Sequence, residues 1–230
     1  MQNLPYAETY EKEFTYMSWG KLISEIIELA KKEIPQGGEV LDVLCGPGYL
    51  VGKIKGVRHD LNLTGVDLEQ EYIDYAQKKY PGNVFLVGDA FSWQPLKKYD
   101  AIFCTGGLHH LPYEKQALFI ERLSSMVKKD GFVVVGDPYI DDYVNEKQRK
   151  IGGAKLGYEY LAETIRNGAP NDVVVAAVDL IRNDVLAVEF KTSIVKVKPY
   201  FEKNFSEVVL HKTWPADESG YGDYYFVLRK

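Results

Sequence analysis

Cysteine is scarce: Cys45 and Cys104 are the only two in 230 residues, and they stand far apart. That excludes a disulfide framework and a cysteine-based zinc set. No apolar run approaches the roughly 20 residues that a membrane-spanning helix needs. The opening residues, MQNLPYAETYEKEF, are acidic and aromatic, unlike a secretory leader. Positive charge is also short. Lys and Arg total 28 against 33 Asp and Glu, a formal net charge of -5, and arginine is rarer than lysine. A dedicated nucleic-acid binder would normally show a basic face. Repeats, low-complexity stretches and linkers are missing too. The expectation is a soluble, cytoplasmic protein of one domain.

What is present is a core-forming composition, 46% hydrophobic and 27% charged, with 17 tyrosines. The organising stretch is Glu39 to Gly52, EVLDVLCGPGYLVG. It starts as an apolar strand through Val40, Leu41, Val43 and Leu44, with Asp42 among them. It breaks at Cys45-Gly46-Pro47-Gly48 and resumes as a helix from Tyr49. A strand, glycine turn and helix in this order let backbone N–H groups approach a ligand. A Cβ there would obstruct the ligand or forbid the backbone angles.

Upstream, Tyr6, Tyr10, Phe14, Tyr16 and Met17 stand among charges. They read either as an amphipathic helix on a core edge or as a flap closing over a ligand. Leu22, Ile23, Ile26, Ile27 and Ala30 have helical spacing, and Pro35 stops that helix. Downstream, strands are expected at 61–67, 83–87, 99–104 and 132–135. Helices are expected from Glu69 to Tyr80 and from Glu114 to Lys128, with Lys128 and Lys129 in the last turn, where cations complement the dipole. Five alternations of strand and helix call for a parallel sheet covered on both faces, with a ligand beyond the carboxyl ends of the strands. After Asp137 the rhythm changes. Helical stretches are broken by Gly152-Gly153 and by Gly168-Ala169-Pro170. Asn171 or Asp172 can cap a helix from Val173 to Ile181, a stretch whose valines also suit a strand, and Pro199 can open a short helix through Phe205. Glu207–Trp214 and Asp223–Arg229 read as a closing antiparallel hairpin.

Three acids mark successive strands: Asp42 in the first, Asp67 ending the second, Asp89 after the third. Asp67, about twenty residues beyond the glycines, suits ribose hydroxyls. Asp89 with Ala90-Phe91 suits adenine, a carboxylate for the amino group and an apolar face for the ring. Asp42 can meet a ligand ammonium or brace the turn. With Leu108-His109-His110-Leu111 after the fourth strand and Lys129-Asp130-Gly131-Phe132 before the fifth, residues 36 to 137 resemble the class I, Rossmann-like S-adenosylmethionine-dependent methyltransferases.

The resemblance implies an α/β fold with a seven-stranded, mostly parallel, doubly wound sheet whose last strand is antiparallel. It implies a single domain over 1–230, with a helical N-terminal cap over about 1–34 and a lid insertion over about 139–204. S-adenosyl-L-methionine is the implied cofactor, held by Tyr16, Asp42, Gly46, Gly48, Asp67, Leu68, Asp89, Ala90, Phe91 and Thr105. His110 and His109 are the candidate bases, with packing or capping of the next helix as their other reading. No metal is expected. One departure stands out: the family usually has glycine where this chain has Leu44.

The Asn/Asp-Pro-Pro-aromatic motif of amino-methylating nucleic-acid members is replaced by Thr105-Gly106-Gly107, and a Pro-Cys nucleophile is missing. The acceptor implied is therefore an oxygen or nitrogen of a small-molecule metabolite, with Asp137, Tyr139 and Tyr143 at the acceptor side. No nucleic acid or membrane partner is expected, and a homodimer stays open. The alternatives are a protein or tRNA methyltransferase and an inactive cofactor-binding partner subunit. A nicotinamide dehydrogenase is disfavoured, because a full G-x-G-x-x-G is absent.

Overall fold

The computed structural model describes residues 5–186 and 189–230. The first four residues of the expected cap and residues 187–188 of the expected lid lie outside the described residues. The sheet has seven strands: β1 (Glu39–Val43), β2 (Asn62–Asp67), β3 (Val84–Val87), β4 (Tyr99–Thr105), β5 (Val127–Tyr139), β6 (Glu207–Trp214) and β7 (Gly222–Arg229). Their order is β3-β2-β1-β4-β5-β7-β6. β1 to β5 pair in parallel, and β7 runs antiparallel to β5 and β6. Strand order reverses between β1 and β4, so the crevice for a ligand opens at their carboxyl ends.

Alternation along the strands builds two cores, because successive side chains point to opposite faces. Val40, Ala101, Phe132, Val134, Tyr225 and Val227 face one side; there α2 (Trp19–Glu33), α3 (Tyr49–Val57) and α4 (Gln70–Lys79) supply Leu22, Ile26, Leu50, Ile54 and Ile73. Leu41, Ile102, Val133, Val135, Phe226 and Leu228 face the other. That side is covered by α5 (Tyr113–Met126) through Phe119, Ile120 and Leu123, and by α8 (Ile194–Asn204) through Val197 and Phe201.

Several expectations change. Lys128 and Lys129 lie in β5, not in a last helical turn; Lys128 reaches Asp100 at 2.8 Å and Asp100 accepts from the Glu39 N–H, so the pair ties β4 to β1 and β5. Gly152 and Gly153 do not break a helix but sit inside α6 (Glu146–Arg166). A Cβ on Gly157 would stand 2.6 Å from Ile181 Cγ1, and one on Gly153 would meet Asp184 at 3.0 Å, so these glycines let α6 lie against α7 (Asn171–Val185). The residue before α7 is Pro170, and Asp172 is instead engaged by Lys12 at 2.8 Å and Thr9. Pro199 lies within α8, which Ser193 caps through the Lys196 N–H. Because α8 covers the sheet, the segment expected as a lid is reduced to α6 and α7.

Candidate active site

β1 ends at Val43, and the next residues turn sharply. Leu44 (φ 60°), Gly46 (φ 52°) and Gly48 (φ 80°) all occupy the left-handed region. The family's glycine position is thus held by a leucine in the conformation glycine would adopt. The Leu44 side chain packs on the core beneath the sheet and against Gly107. Gly48 is required sterically as well, since a Cβ there would come within 2.7 Å of the Phe85 ring. Asp67 holds the turn: its carboxylate accepts from the Gly46 N–H at 2.8 Å and the Glu69 N–H at 2.9 Å. Each oxygen keeps a second lone pair for a ligand hydroxyl.

Asp42 is buried beneath the turn, and its Oδ1 has no hydrogen-bond partner among the described residues. Burial and the neighbouring Asp67 push its carboxyl well above the usual range. A buried acceptor without a donor is costly. An ammonium-bearing ligand in the turn would supply the donor, so the residues present fit S-adenosylmethionine.

Tyr10 of α1 (Ala7–Tyr16) lies over the turn. A Cβ on Gly46 would be 3.9 Å from its ring, and one on Gly106 would be 3.6 Å from its hydroxyl. Tyr16 is elsewhere: its carbonyl accepts from Asn167 Nδ2 and its ring joins the Met17–Val173–Ala177 cluster. Tyr10, not Tyr16, is the capping aromatic at the turn, since only Tyr10 has the helical phase that points inward. The adenine-side residues cluster at the end of β3. Asp89 folds back to accept from the Phe91 N–H at 2.9 Å, Ala90 is buried, Phe91 packs edge-on against Phe119, and Gly88 N–H donates to the Asp67 carbonyl. Leu68 is 61% exposed.

A cavity of about 430 Å³ opens beside the turn, between α1, the end of β4 and α7. Thr105, Gly106, His109 and His110 form its floor, and Tyr10, Phe14 and Trp19 give it an aromatic wall. Glu13, Asp172, Asp179 and Glu189 line it, with no lysine or arginine among the lining residues. Burial pushes the Glu13 carboxyl up to about 8.

The histidines occupy a 3₁₀ turn, Leu108–His110, directly after β4. His109 is buried; its Nδ1 is 2.9 Å from Asp137 and its Nε2 3.1 Å from Glu189. His110 is at the cavity wall, with Nδ1 3.4 Å from the same Glu189 oxygen. Burial pulls the His109 imidazole down, but Asp137 and Glu189 outweigh it and raise it overall. Burial likewise pushes the Glu189 carboxyl up, yet Lys191 and His109 hold it well below the usual range. Lys191 is itself buried, 3.0 Å from Asp184 and 3.8 Å from Glu189. The segment is pinned by Phe190 N–H donating to the His109 carbonyl at 2.7 Å.

Of the expected acceptor-side residues, Asp137 reaches the cavity only through His109. Tyr139 is fully buried between Tyr224 and Phe226, because β5 continues through it and turns its ring into the core. Tyr143 lies under Lys196 and packs with the Ile140–Leu156 cluster, outside the cavity wall. Glu189 and Lys191 were not legible as site residues. The visible signal was the alternation of charge around Phe190, which places both on one side of an extended segment.

Residues 40–131 match the family model described as a methyltransferase domain. A trans-aconitate 2-methyltransferase of Rhizobium etli is 27% identical over 110 residues, 48% of this chain and 42% of that protein. A probable (S)-tetrahydroprotoberberine N-methyltransferase of Papaver bracteatum is 29% identical over 46% of this chain and 30% of its own length. The matched part thus spans less than half of these relatives. Among solved structures, a TehB-like S-adenosylmethionine-dependent methyltransferase from Corynebacterium glutamicum superposes with a TM-score of 0.54 at 17% identity, covering 97% of both chains. The plantazolicin methyltransferase BpumL does so at 0.62 and 13% identity, over 97% of this chain and 88% of that one. Turn, acids, strand order and family match agree: residues 40–131 are similar to a methyltransferase domain, and the seven-stranded fold is that of solved S-adenosylmethionine-dependent methyltransferases.

Proposed function

We propose that the protein transfers a methyl group from S-adenosylmethionine to an oxygen or nitrogen of a small-molecule metabolite, in cytoplasmic small-molecule biosynthesis. The observation that carries this reading is the cavity beside the glycine turn, floored by the end of β4, with His110 among its lining residues. The bound cofactor would supply an electrophilic methyl on a sulfonium. Gly46, Gly48, Asp42, Asp67 and the Asp89–Phe91 turn would hold it, with Tyr10 closing the cap. Fixing acceptor and donor in one cavity is worth roughly 7–11 kcal/mol of barrier in favourable cases. The acceptor's proton is handled at the histidine pair.

The lining favours a neutral or amine-bearing acceptor with an apolar body. Tyr10, Phe14 and Trp19 offer ring faces, whereas a polyanion would find no guanidinium or ammonium on the wall. The narrow cavity and the overall acidic charge also favour a metabolite over a protein or tRNA acceptor. No helix among the described residues is long and apolar enough to cross a membrane.

Incubation with methyl-labelled S-adenosylmethionine and a fractionated metabolite extract tests the proposal. Label should enter a small molecule, and His110→Gln should lower turnover by about 10²–10⁴-fold. Label confined to macromolecules, or cofactor binding with no transfer to any fraction, would overturn it.

A further inference from the structure

We propose that His109, His110 and Glu189 form a binding site for one divalent transition-metal ion, zinc being the natural occupant, on the floor of the cavity. His109 Nε2, His110 Nδ1 and a Glu189 carboxylate oxygen all lie within 4.8 Å of one another. The two nitrogen–oxygen separations, 3.1 and 3.4 Å, are those of donors sharing one ion at roughly 2.0–2.2 Å. Two imidazoles and one carboxylate on one side of an ion leave its other positions open, the pattern of catalytic rather than structural sites. Those positions face the cavity, since all three residues line it.

The second observation is the support behind the ligands. Asp137 lies 2.9 Å from His109 Nδ1, so that nitrogen carries the proton and Nε2 is presented forward. A carboxylate behind a metal-bound imidazole is the usual outer partner of such ligands. Nε2 then faces a carboxylate across 3.1 Å, and a cation must lie between them, either a proton or a metal ion. Glu189 is buried beside both histidines, so an ion held there would sit against a carboxylate out of solvent. The position is also mechanically defined, because Gln116 Nε2 donates to the carbonyls of Leu111 and Phe190 and joins the histidine turn to the Glu189 segment. With two imidazoles and one carboxylate, the ligand set favours imidazole-seeking ions over magnesium and calcium.

If the protein methylates an acceptor at this cavity, as proposed above, the ion gives the acceptor a specific chemistry. The substrate would carry a hydroxyl able to ligate the metal, which lowers the hydroxyl's pKa and aims its oxygen. The hydroxyl's proton would be lost to water in the open cavity, while His109 and His110 stay bound to the ion as ligands.

The test is calorimetric titration of the chelator-treated full chain with zinc chloride alone, alongside cobalt chloride followed by visible absorption. One zinc per chain is expected, with a cobalt spectrum of four- or five-coordinate form, and magnesium chloride should give no heat. His110→Gln, a change at the cavity wall, should weaken zinc more than about 100-fold, and Asp137→Asn about 10–100-fold. His59→Gln and His211→Gln, on the exposed surface, should leave it unchanged. No binding at millimolar zinc, or binding indifferent to His110→Gln, overturns the site. The same samples are titrated with S-adenosylmethionine. Cofactor binding without zinc binding refutes the metal site and leaves the methyltransferase reading intact, and the reverse result refutes only the latter.

Discussion

Replacing Leu44 by glycine and by alanine should reverse the ordinary order of those two residues. Glycine normally costs stability relative to alanine, by about 0.4–1 kcal/mol, through the freedom it gives the unfolded chain. At Leu44 the backbone is left-handed, φ 60°. An L-residue held there costs roughly 1–2 kcal/mol, and glycine does not. Both variants lose the same half-buried packing, so the difference isolates the backbone: Leu44→Gly should exceed Leu44→Ala by about 0.5–1 kcal/mol. At about 2–4 °C per kcal/mol for a chain this long, the melting temperatures should differ by roughly 1–4 °C. Thermal unfolding of the full-length variants by circular dichroism reads this directly. A second arm checks where the side chain points. A Cβ on Gly107 would stand 2.9 Å from Leu44 Cβ and Cδ1 and 3.1 Å from Cys104 Sγ. Gly107→Ala should therefore cost about 1–3 kcal/mol in the parent and markedly less in Leu44→Gly, a coupling of about 1 kcal/mol. Alanine equal to or better than glycine at position 44, together with no coupling to position 107, would refute both the strained turn and the packing.

Asp67→Ala should weaken S-adenosylmethionine binding about 10–100-fold by calorimetry, and it should also lower the melting temperature by roughly 6–12 °C, since it strips the charge-assisted acceptor from two backbone N–H groups; unchanged affinity would sink the ribose assignment. Asp223 is fully buried and pushed up to about 7, by burial against the opposing hydroxyls of Ser18 and Tyr160. A carboxyl raised in the fold holds its proton longer there than in the unfolded chain, so its contribution to stability falls as pH climbs from about 4 to 7. Asp223→Asn should remove that slope, gaining on the parent by up to roughly 4 kcal/mol between pH 4 and pH 8; parallel denaturation curves at both pH values would contradict it. Gly157→Ala should cost about 1–3 kcal/mol by driving α6 away from α7, where the new Cβ would meet Ile181 at 2.6 Å; an unshifted urea midpoint would show that the two helices are not in such contact.

The parts legible in the sequence are those set by local chemistry. Alternating apolar residues such as Val40-Leu41 and Ala101-Ile102 fed two cores, and short glycine-marked loops forced parallel crossovers. Elements governed by neighbours were not legible. Gly152, Gly153 and Gly157 look like breakers, because glycine has poor helix propensity. Their reason is the partner helix, and nothing within α6 announces it. Lys128 and Lys129 suit a helix end, yet pairing of Tyr99 with Val127 extends β5 back through them. For the cofactor side, Asp67 and the glycines follow one another at fixed intervals, so their order alone makes them candidates, and the structure brings Asp67 onto the Gly46 N–H. Tyr10 and Tyr16 differ by about one and two-thirds helical turns and so lie on different faces, and only the docking of α1 on α7 and α4 decides which faces the turn.

The charged cluster behind the cavity is assembled from distant segments. His109, Asp137, Asp184, Glu189 and Lys191 come from a turn, a strand, a helix and a loop, and Asp184, Glu189 and Lys191 each alone read as ordinary surface. Their burial together argues for function on energetic grounds. Removing an ion pair from water costs several kcal/mol per ion, and apolar side chains of similar size would stabilise the same volume as well or better. Much of the rest of the interior follows that rule: the two faces of the sheet carry large aliphatic and aromatic clusters, with Asp42, Asp67 and Asp223 among the buried exceptions. Among the described residues, three carboxylates, an ammonium and an imidazole gather at and behind the floor of the cavity beside the glycine turn. A stability argument would have removed these groups. A site that must hold charge while excluding water, so that electrostatic interactions act at low dielectric, requires them there.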